Sequence, residues 1–135
     1  MSAIPGSIGV ITLLQDDLDK AMDFYGRVFG KAPDFADSEV AVFHLDNTIL
    51  KLEKESAARD RLAPAVVAEQ SAGSRVLLAI WVDDVDAACA ELAEKGVSLI
   101  NGPADTAWGT RNAHFADPGG HIWGIAQDLD PQSVS

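Results

Sequence analysis

The sequence predicts an α+β fold made of two copies of one βαβββ module. Three observations lead there. The apolar run Val10-Ile11-Thr12-Leu13-Leu14 leads into Asp16-Asp17-Leu18-Asp19, and 67 positions further on Leu77-Leu78-Ala79-Ile80-Trp81 leads into Asp83-Asp84-Val85-Asp86. Each acidic cluster then opens an apolar stripe at helical spacing that stops at a glycine, Gly30 in one copy and Gly96 in the other. Behind each helix lie three shorter strand candidates. A repeated unit implies a pseudo-symmetric protein with a site between its copies.

Each module opens with a strand, because branched apolar residues cluster there and a helix-start signal follows. Asp16 or Asp17, and Asp83 or Asp84, can cap exposed backbone N–H groups while their charge suits the positive end of the helix. Leu18, Ala21, Met22, Tyr25 and Phe29 then share one helix face, as do Val85, Ala88, Cys89 and Leu92. Phe24 and Tyr25 read as core, and Gly30 and Gly96 supply the left-handed residue that ends each helix. In the first module Ala32 to Phe35 is a weak strand, and Glu39 to Leu45 and Thr48 to Glu53 flank the turn Asp46-Asn47. In the second, Val97 to Asn101 is the weak strand, and Arg111 to Ala116 and His121 to Gln127 flank Asp117-Pro118-Gly119-Gly120.

Module one thus covers about residues 8–53, a linker about 54–75 and module two about 76–129. The linker is rich in Ala, Ser and charge, with a short helix expected near Ala63 to Gln70. Its length lets the modules pair within one chain or across a dimer. The tail from Asp128 to Ser135 is expected to fray.

A chain of 135 residues can bury a real core as one domain. Its longest apolar stretches, Ile8 to Leu14 and Val76 to Val82, fall far short of the ~20 residues of a membrane helix. The N-terminus lacks the basic region of a secretory signal, and the lone Cys89 fits a reducing compartment, so a cytoplasmic location is expected. With 10 basic and 21 acidic residues the net charge is −11, which repels phosphate backbones and anionic membranes and argues against both as partners. Acidity serves solubility first. It would also draw a cationic ligand.

The paired modules, with the phrases Asp-Leu-Asp-Lys-Ala-Met-Asp-Phe-Tyr at 17–25 and Phe-Ala-Asp-Pro-Gly-Gly-His-Ile-Trp at 115–123, resemble the vicinal oxygen chelate superfamily. That group holds glyoxalase I, extradiol dioxygenases, fosfomycin-resistance enzymes and bleomycin-resistance proteins. The resemblance spans Ile8 to Leu129 and implies a cup-shaped mixed sheet with modules paired across a homodimer. In metal-dependent members the first strand of each module supplies a His or similar ligand and the last strand a Glu, all facing the cup. Those positions fall here at Val10, Lys51, Leu77 and Gly124. Val, Leu and Gly have no side-chain lone pair to give, and Lys would set a cation beside a cation. No metal or other cofactor is therefore expected. His121, in its turn, reads as structural, and His44, His114 and Glu53 are the donors from which a replacement site would have to be built.

Strand alternation from those four positions turns Thr12 and Leu14, Ile49 and Glu53, Ala79 and Trp81, and Ile122 and Ala126 toward the cup, and Leu13, Leu50, Ile80, Trp123 and Ile125 toward the helices. The resemblance adds Asn112 and His114 to the cup, on a third strand expected to be bulged. A true two-residue turn at Asp46-Asn47 brings His44 inward, whereas a longer one brings Phe43. The candidate ligand-binding residues are therefore Thr12, Leu14, His44, Lys51, Trp81, Trp108, Asn112 and His114. Trp81 either stacks on a planar ligand or fills core. Lys51 needs a partner, whether Glu53, a carboxylate across a dimer or an anionic ligand. Trp108 either closes the mouth of the cup or packs its own loop.

This composition, a greasy wall with few polar groups, is that of a small-molecule pocket. The leading expectation is a metal-free protein of the bleomycin-resistance type, which confers antibiotic resistance by sequestering a planar or cationic drug-like molecule without catalysis. The alternative is a superfamily enzyme, a glyoxalase, isomerase or dioxygenase, with a non-standard metal or with His114 as base and Lys51 as electrostatic stabiliser.

Overall fold

A computed structural model describes residues 3–129 and shows an α+β chain of two compact units, one running up to Ala68 and one from Glu69. Each carries one four-stranded mixed sheet.

In the first unit β1 (Val10–Gln15) leads to α1 (Leu18–Phe29), and then β2 (Phe35–Ala36), β3 (Val40–His44), β4 (Ile49–Lys54) and α2 (Glu55–Leu62) follow. The sheet order is β1-β4-β3-β2, with β1 and β4 parallel and the rest antiparallel. Asp17 is the cap of α1, accepting from the Lys20 N–H at 3.0 Å, and Gly30 closes it at φ 66°. Leu18, Ala21, Phe24 and Tyr25 are buried against Leu13, Ala41, Phe43, Leu50 and Leu52 of the sheet. Tyr25 is the hub of this core, with ring centroids 5.2 Å from Phe24, 6.1 Å from Phe29 and 6.4 Å from Phe43.

The second unit repeats the plan. A short 3-10 turn (Gln70–Ala72) precedes β5 (Leu77–Trp81), α3 (Val85–Glu94), β6 (Leu99–Asp105), β7 (Thr110–Ala116) and β8 (Ile122–Asp128). Its order is β5-β8-β7-β6, again with the first pair parallel. Asp84 caps α3 by accepting from the Ala87 N–H at 3.1 Å, and Gly96 follows it at φ 80°. Val85, Cys89 and Leu92 pack on Ala113, Phe115, Trp123 and Ile125, where Phe115 and Trp123 stack 6.3 Å apart. Arg111 ties the helix to the sheet through Asp86 at 3.0 Å and Asp105 at 2.9 Å.

Five expectations are corrected. The linker helix lies at Glu55–Leu62 rather than near Ala63 to Gln70, because Ala58 and Glu55 bury against β1 and β4 while the segment after it is exposed. The second strand starts at Phe35, not Ala32, since Pro33 has no N–H to give a ladder. The sixth strand starts at Leu99, not Val97, because the Val97 N–H closes the helix end on the Leu92 carbonyl at 2.9 Å. The bulges fall on β6, between Leu99 and Asn101 and between Asn101 and Ala104, while β7 stays in continuous register with β8. At Gly102, φ is 86° and an added Cβ would lie 2.6 Å from the Asn112 carbonyl oxygen, so only glycine fits that bulge. Of the tail expected to fray, Asp128 is instead the last residue of β8, paired with Thr110; residues 130–135 lie outside the described part of the chain.

Candidate functional site

Sheet register sorts the sequence-predicted residues onto the sheet face opposite the core in each unit. On the first sheet three rows run across the strands: Val10 with Ile49 and His44, Thr12 with Lys51 and Val42, and Leu14 with Glu53 and Val40. His44 pairs with Ile49 because Asp46-Asn47 is a true two-residue turn, closed by the Leu45 N–H donating to the Thr48 carbonyl at 2.9 Å. Its side chain is exposed, so it is no core residue, and Phe43 is the buried one. Its backbone N–H donates to Asp34 at 2.7 Å, which together with Lys31 holds the Asp34 carboxyl below its ordinary range.

Lys51 has the partner its position demands. Its Nζ lies 3.5 Å from Glu53 Oε1, and Arg61, on α2, grips both oxygens of the same carboxylate at 2.6 and 3.2 Å. Glu53 is 3% exposed. Burial pushes its carboxyl up, but the hydrogen bonds and charge of Arg61, joined by Lys51, outweigh that and hold it below the usual range. Its lone pairs are committed to two cations.

On the second sheet the rows are Leu77 with Ile122 and Ala116, Ala79 with Gly124, His114 and Asn101, and Trp81 with Ala126, Asn112 and Ala104. Within this unit Trp81 is not core filling, since it is 60% exposed, as Leu77 is 61%. His114 lies over Gly124: a Cβ added there would meet the imidazole Cδ2 at 3.4 Å and Nε2 at 3.5 Å. Its Nδ1–H donates to Asn101 Oδ1 at 2.8 Å, which leaves Nε2 of the neutral ring as an acceptor. Asn112 Oδ1 is buried without a hydrogen bond among the described residues. Trp108 sits in the loop between β6 and β7 and is 72% exposed, so it does not pack its own loop. His121 is held in its turn by Asp117, its backbone N–H and Nδ1 both reaching that carboxylate at 2.8 and 3.0 Å, which is the structural role expected of it.

The residues at the four positions of a superfamily metal do not fit one. Val10 and Leu77 carry hydrocarbon, Lys51 carries a positive charge paired with Glu53, and Gly124 carries no side chain at all, with the His114 imidazole in van der Waals reach of its Cβ position. Within the first unit the replacement donors do not gather either, for Glu53 is spent on Arg61 and His44 lies in a different row of the sheet. Among the described residues no group of three or more His, Cys, Asp or Glu side chains could hold an ion.

Sequence reading missed three residues here. Arg61 lay in a segment read as linker, and nothing local marks a contact eight residues back. Asn101 reaches His114 only through the bulges of β6. Arg75 lines a cleft described below and had no motif to single it out.

Comparison with known proteins is consistent across sequence and structure. A family model described as the Glyoxalase/Bleomycin resistance protein/Dioxygenase superfamily matches residues 7–125. The uncharacterized protein YraH of Bacillus subtilis is 36% identical over 80% of this chain and 88% of its own length. The anthracycline biosynthesis protein DnrV of Streptomyces peucetius is 33% identical over 94% of this chain, which spans only 43% of DnrV. The crystal structure of a glyoxalase/bleomycin resistance protein/dioxygenase from Nocardioides superposes with a TM-score of 0.83 at 25% identity, covering 96% of this chain and 88% of that one. That of lactoylglutathione lyase from Agrobacterium tumefaciens, with a TM-score of 0.71 over 92% and 95% of the two chains, is 21% identical and speaks to fold alone.

Proposed function

The chain belongs to the glyoxalase/bleomycin resistance/dioxygenase superfamily, and on that premise we propose that it is a metal-free protein that binds a small planar molecule on the sheet face carrying Trp81, Asn112 and His114. The observation that carries this is the content of the four ligand positions, where Val10, ion-paired Lys51, Leu77 and a Gly124 covered by imidazole stand in place of oxygen and nitrogen donors. Binding needs affinity but no stabilised transition state, so a lost metal costs such a protein nothing. An indole that is 60% exposed offers a stacking plate, and Asn112 stands in the same row of the sheet, across Ala126 from it. Similarity to DnrV makes polycyclic aromatic compounds sensible first probes. Trp108 of the same unit joins this surface, the corresponding face of the first unit, with Thr12, Leu14, His44 and Lys51, is proposed as ligand-facing in its own right, and a homodimer in a reducing cytoplasm completes the picture, supported by the free, buried thiol of Cys89 and the exposed Val10 and Leu77. Sequestration of a toxic compound would make it a resistance protein.

The test is quenching of tryptophan fluorescence by an anthracycline and a panel of planar cations. Saturable quenching lost in Trp81→Leu supports the proposal. Quenching that never saturates, or that survives this substitution unchanged, sinks it.

A second reading rests on His114. With Nδ1–H held by Asn101, Nε2 is oriented as a general base. Lys51, its expected electrostatic stabiliser, has its charge offset by Glu53, which weakens that half of the pairing. Turnover of an α-hydroxy or α-keto thioester that disappears in His114→Gln would favour this reading.

A further inference from the structure

Beside the Trp81 row, the second unit has an open cleft of about 490 Å³ at the start of β5. It is walled by Leu77, Ile100 and Ile122, and Arg75, Asn101 and His114 supply its main polar groups. We propose that this cleft recognises a small organic carboxylate, with the Arg75 guanidinium and the Asn101 amide taking the carboxylate and the aliphatic wall covering an apolar body. The inference deepens the binding reading above and rests on it, because it names the ligand's chemical class.

Arg75 is the reason. In a chain with 21 acidic and 10 basic residues, an arginine easily finds a carboxylate. Arg27, Arg59, Arg61 and Arg111 each do, at distances between 2.6 and 3.1 Å. Arg75 has no such partner among the described residues, and no acidic side chain lines its cleft. Guanidinium groups present a planar fork that matches carboxylate geometry, so an unpaired one over an apolar wall favours an amphiphilic anion. Asn101 strengthens the case. Its Oδ1 accepts from His114, which turns its NH₂ group, a pure donor, free for an anion. Ser74 does not compete, since its Oγ is used within the loop on the Val76 backbone at 2.9 and 3.3 Å.

The cleft volume falls within the range of small-molecule sites, and a wall of Leu and Ile suits a hydrocarbon or aromatic body. This reverses the sign that net charge alone suggests. The acidity is carried by helix caps and turns such as Asp17, Asp37 and Asp84, not by the cleft.

The experiment is calorimetric titration of the full chain with three congeners, 2-naphthoate, 2-naphthamide and 2-naphthylmethylammonium, at low and moderate salt. Amide chemical shifts of Arg75, Asn101 and His114 give the location. The expected result is that the carboxylate binds about tenfold or more tighter than the amide, that the preference weakens with salt, and that Arg75→Gln abolishes it. Arg75→Lys, which keeps charge but not the fork, should retain part of it. Equal or tighter binding of the amide or ammonium, or a carboxylate preference that survives Arg75→Gln, overturns the inference and leaves the small-molecule reading standing. No binding by any congener overturns both.

Discussion

Replacing Glu53 by Gln probes the network that engages Lys51 and removes Glu53 from metal duty. The substitution keeps shape and removes charge. Glu53 is 3% exposed and takes two hydrogen bonds from Arg61, at 2.6 and 3.2 Å, with Lys51 at 3.5 Å. A charge-assisted bond is worth roughly 1.5–3 kcal/mol, and the amide keeps one neutral bond to the guanidinium. The Arg61 side chain is 54% exposed, which lets water soften its loss. The net cost should be about 1–2 kcal/mol, or a fall in Tm of roughly 4–8 °C for a domain of this size. All three tryptophans lie in the second unit, so far-UV circular dichroism is the proper readout. The pH dependence adds a second arm. Because the Glu53 carboxyl is held below its ordinary value, the unfolded chain takes up that proton first as pH falls. Its stabilisation is full above the unfolded value of about 4.3 and is lost as pH drops through the folded one. The gap between wild type and Glu53→Gln should therefore be constant from neutral to mildly acidic pH and close below that. A variant as stable as wild type at neutral pH, or a gap unchanged in strong acid, would refute the reasoning.

Three further outcomes follow from the same geometry. Gly102→Ala places a Cβ 2.6 Å from a carbonyl oxygen at φ 86°, so chemical unfolding should show a loss of about 2 kcal/mol or more. Asp117→Ala strips the buried acceptor from the His121 N–H and imidazole, and thermal melts should report a loss of about 1–3 kcal/mol. Gly124→Ala meets only ordinary contacts and should change stability by less than about 1 kcal/mol, whereas the longer side chain of Gly124→Glu, built out from a Cβ already in contact with the imidazole, is expected to displace His114 from Asn101. The glutamate variant should melt lower and gain no tight metal site by titration, despite restoring the superfamily's residue type.

Much of this fold was legible because its signals are local and doubled. Aspartate caps, helical stripes and closing glycines occur twice, and each copy validates the other. Face assignment worked for the same reason: one two-residue turn fixes His44 against Ile49, and the parallel pairing of β1 with β4 recurs in β5 with β8. What failed was non-local or irregular. The run Gly102-Pro103 carries a bulged strand onward, and only the partner strand reveals that Asn101 faces His114. Arg61 finds Glu53 through a helix whose own sequence has little amphipathic pattern, so the ion pair left no periodic trace. Arg75 stands out only once every other arginine has been matched to a carboxylate.

The central claim, that the site works without a metal, is tested most directly by elemental analysis of the dialysed protein together with thermal shift on adding Ni, Zn, Mn and Fe salts. No stoichiometric metal and no ion-specific shift are expected. One retained equivalent, or a shift of several degrees with a single ion that vanishes in His114→Ala, would contradict it.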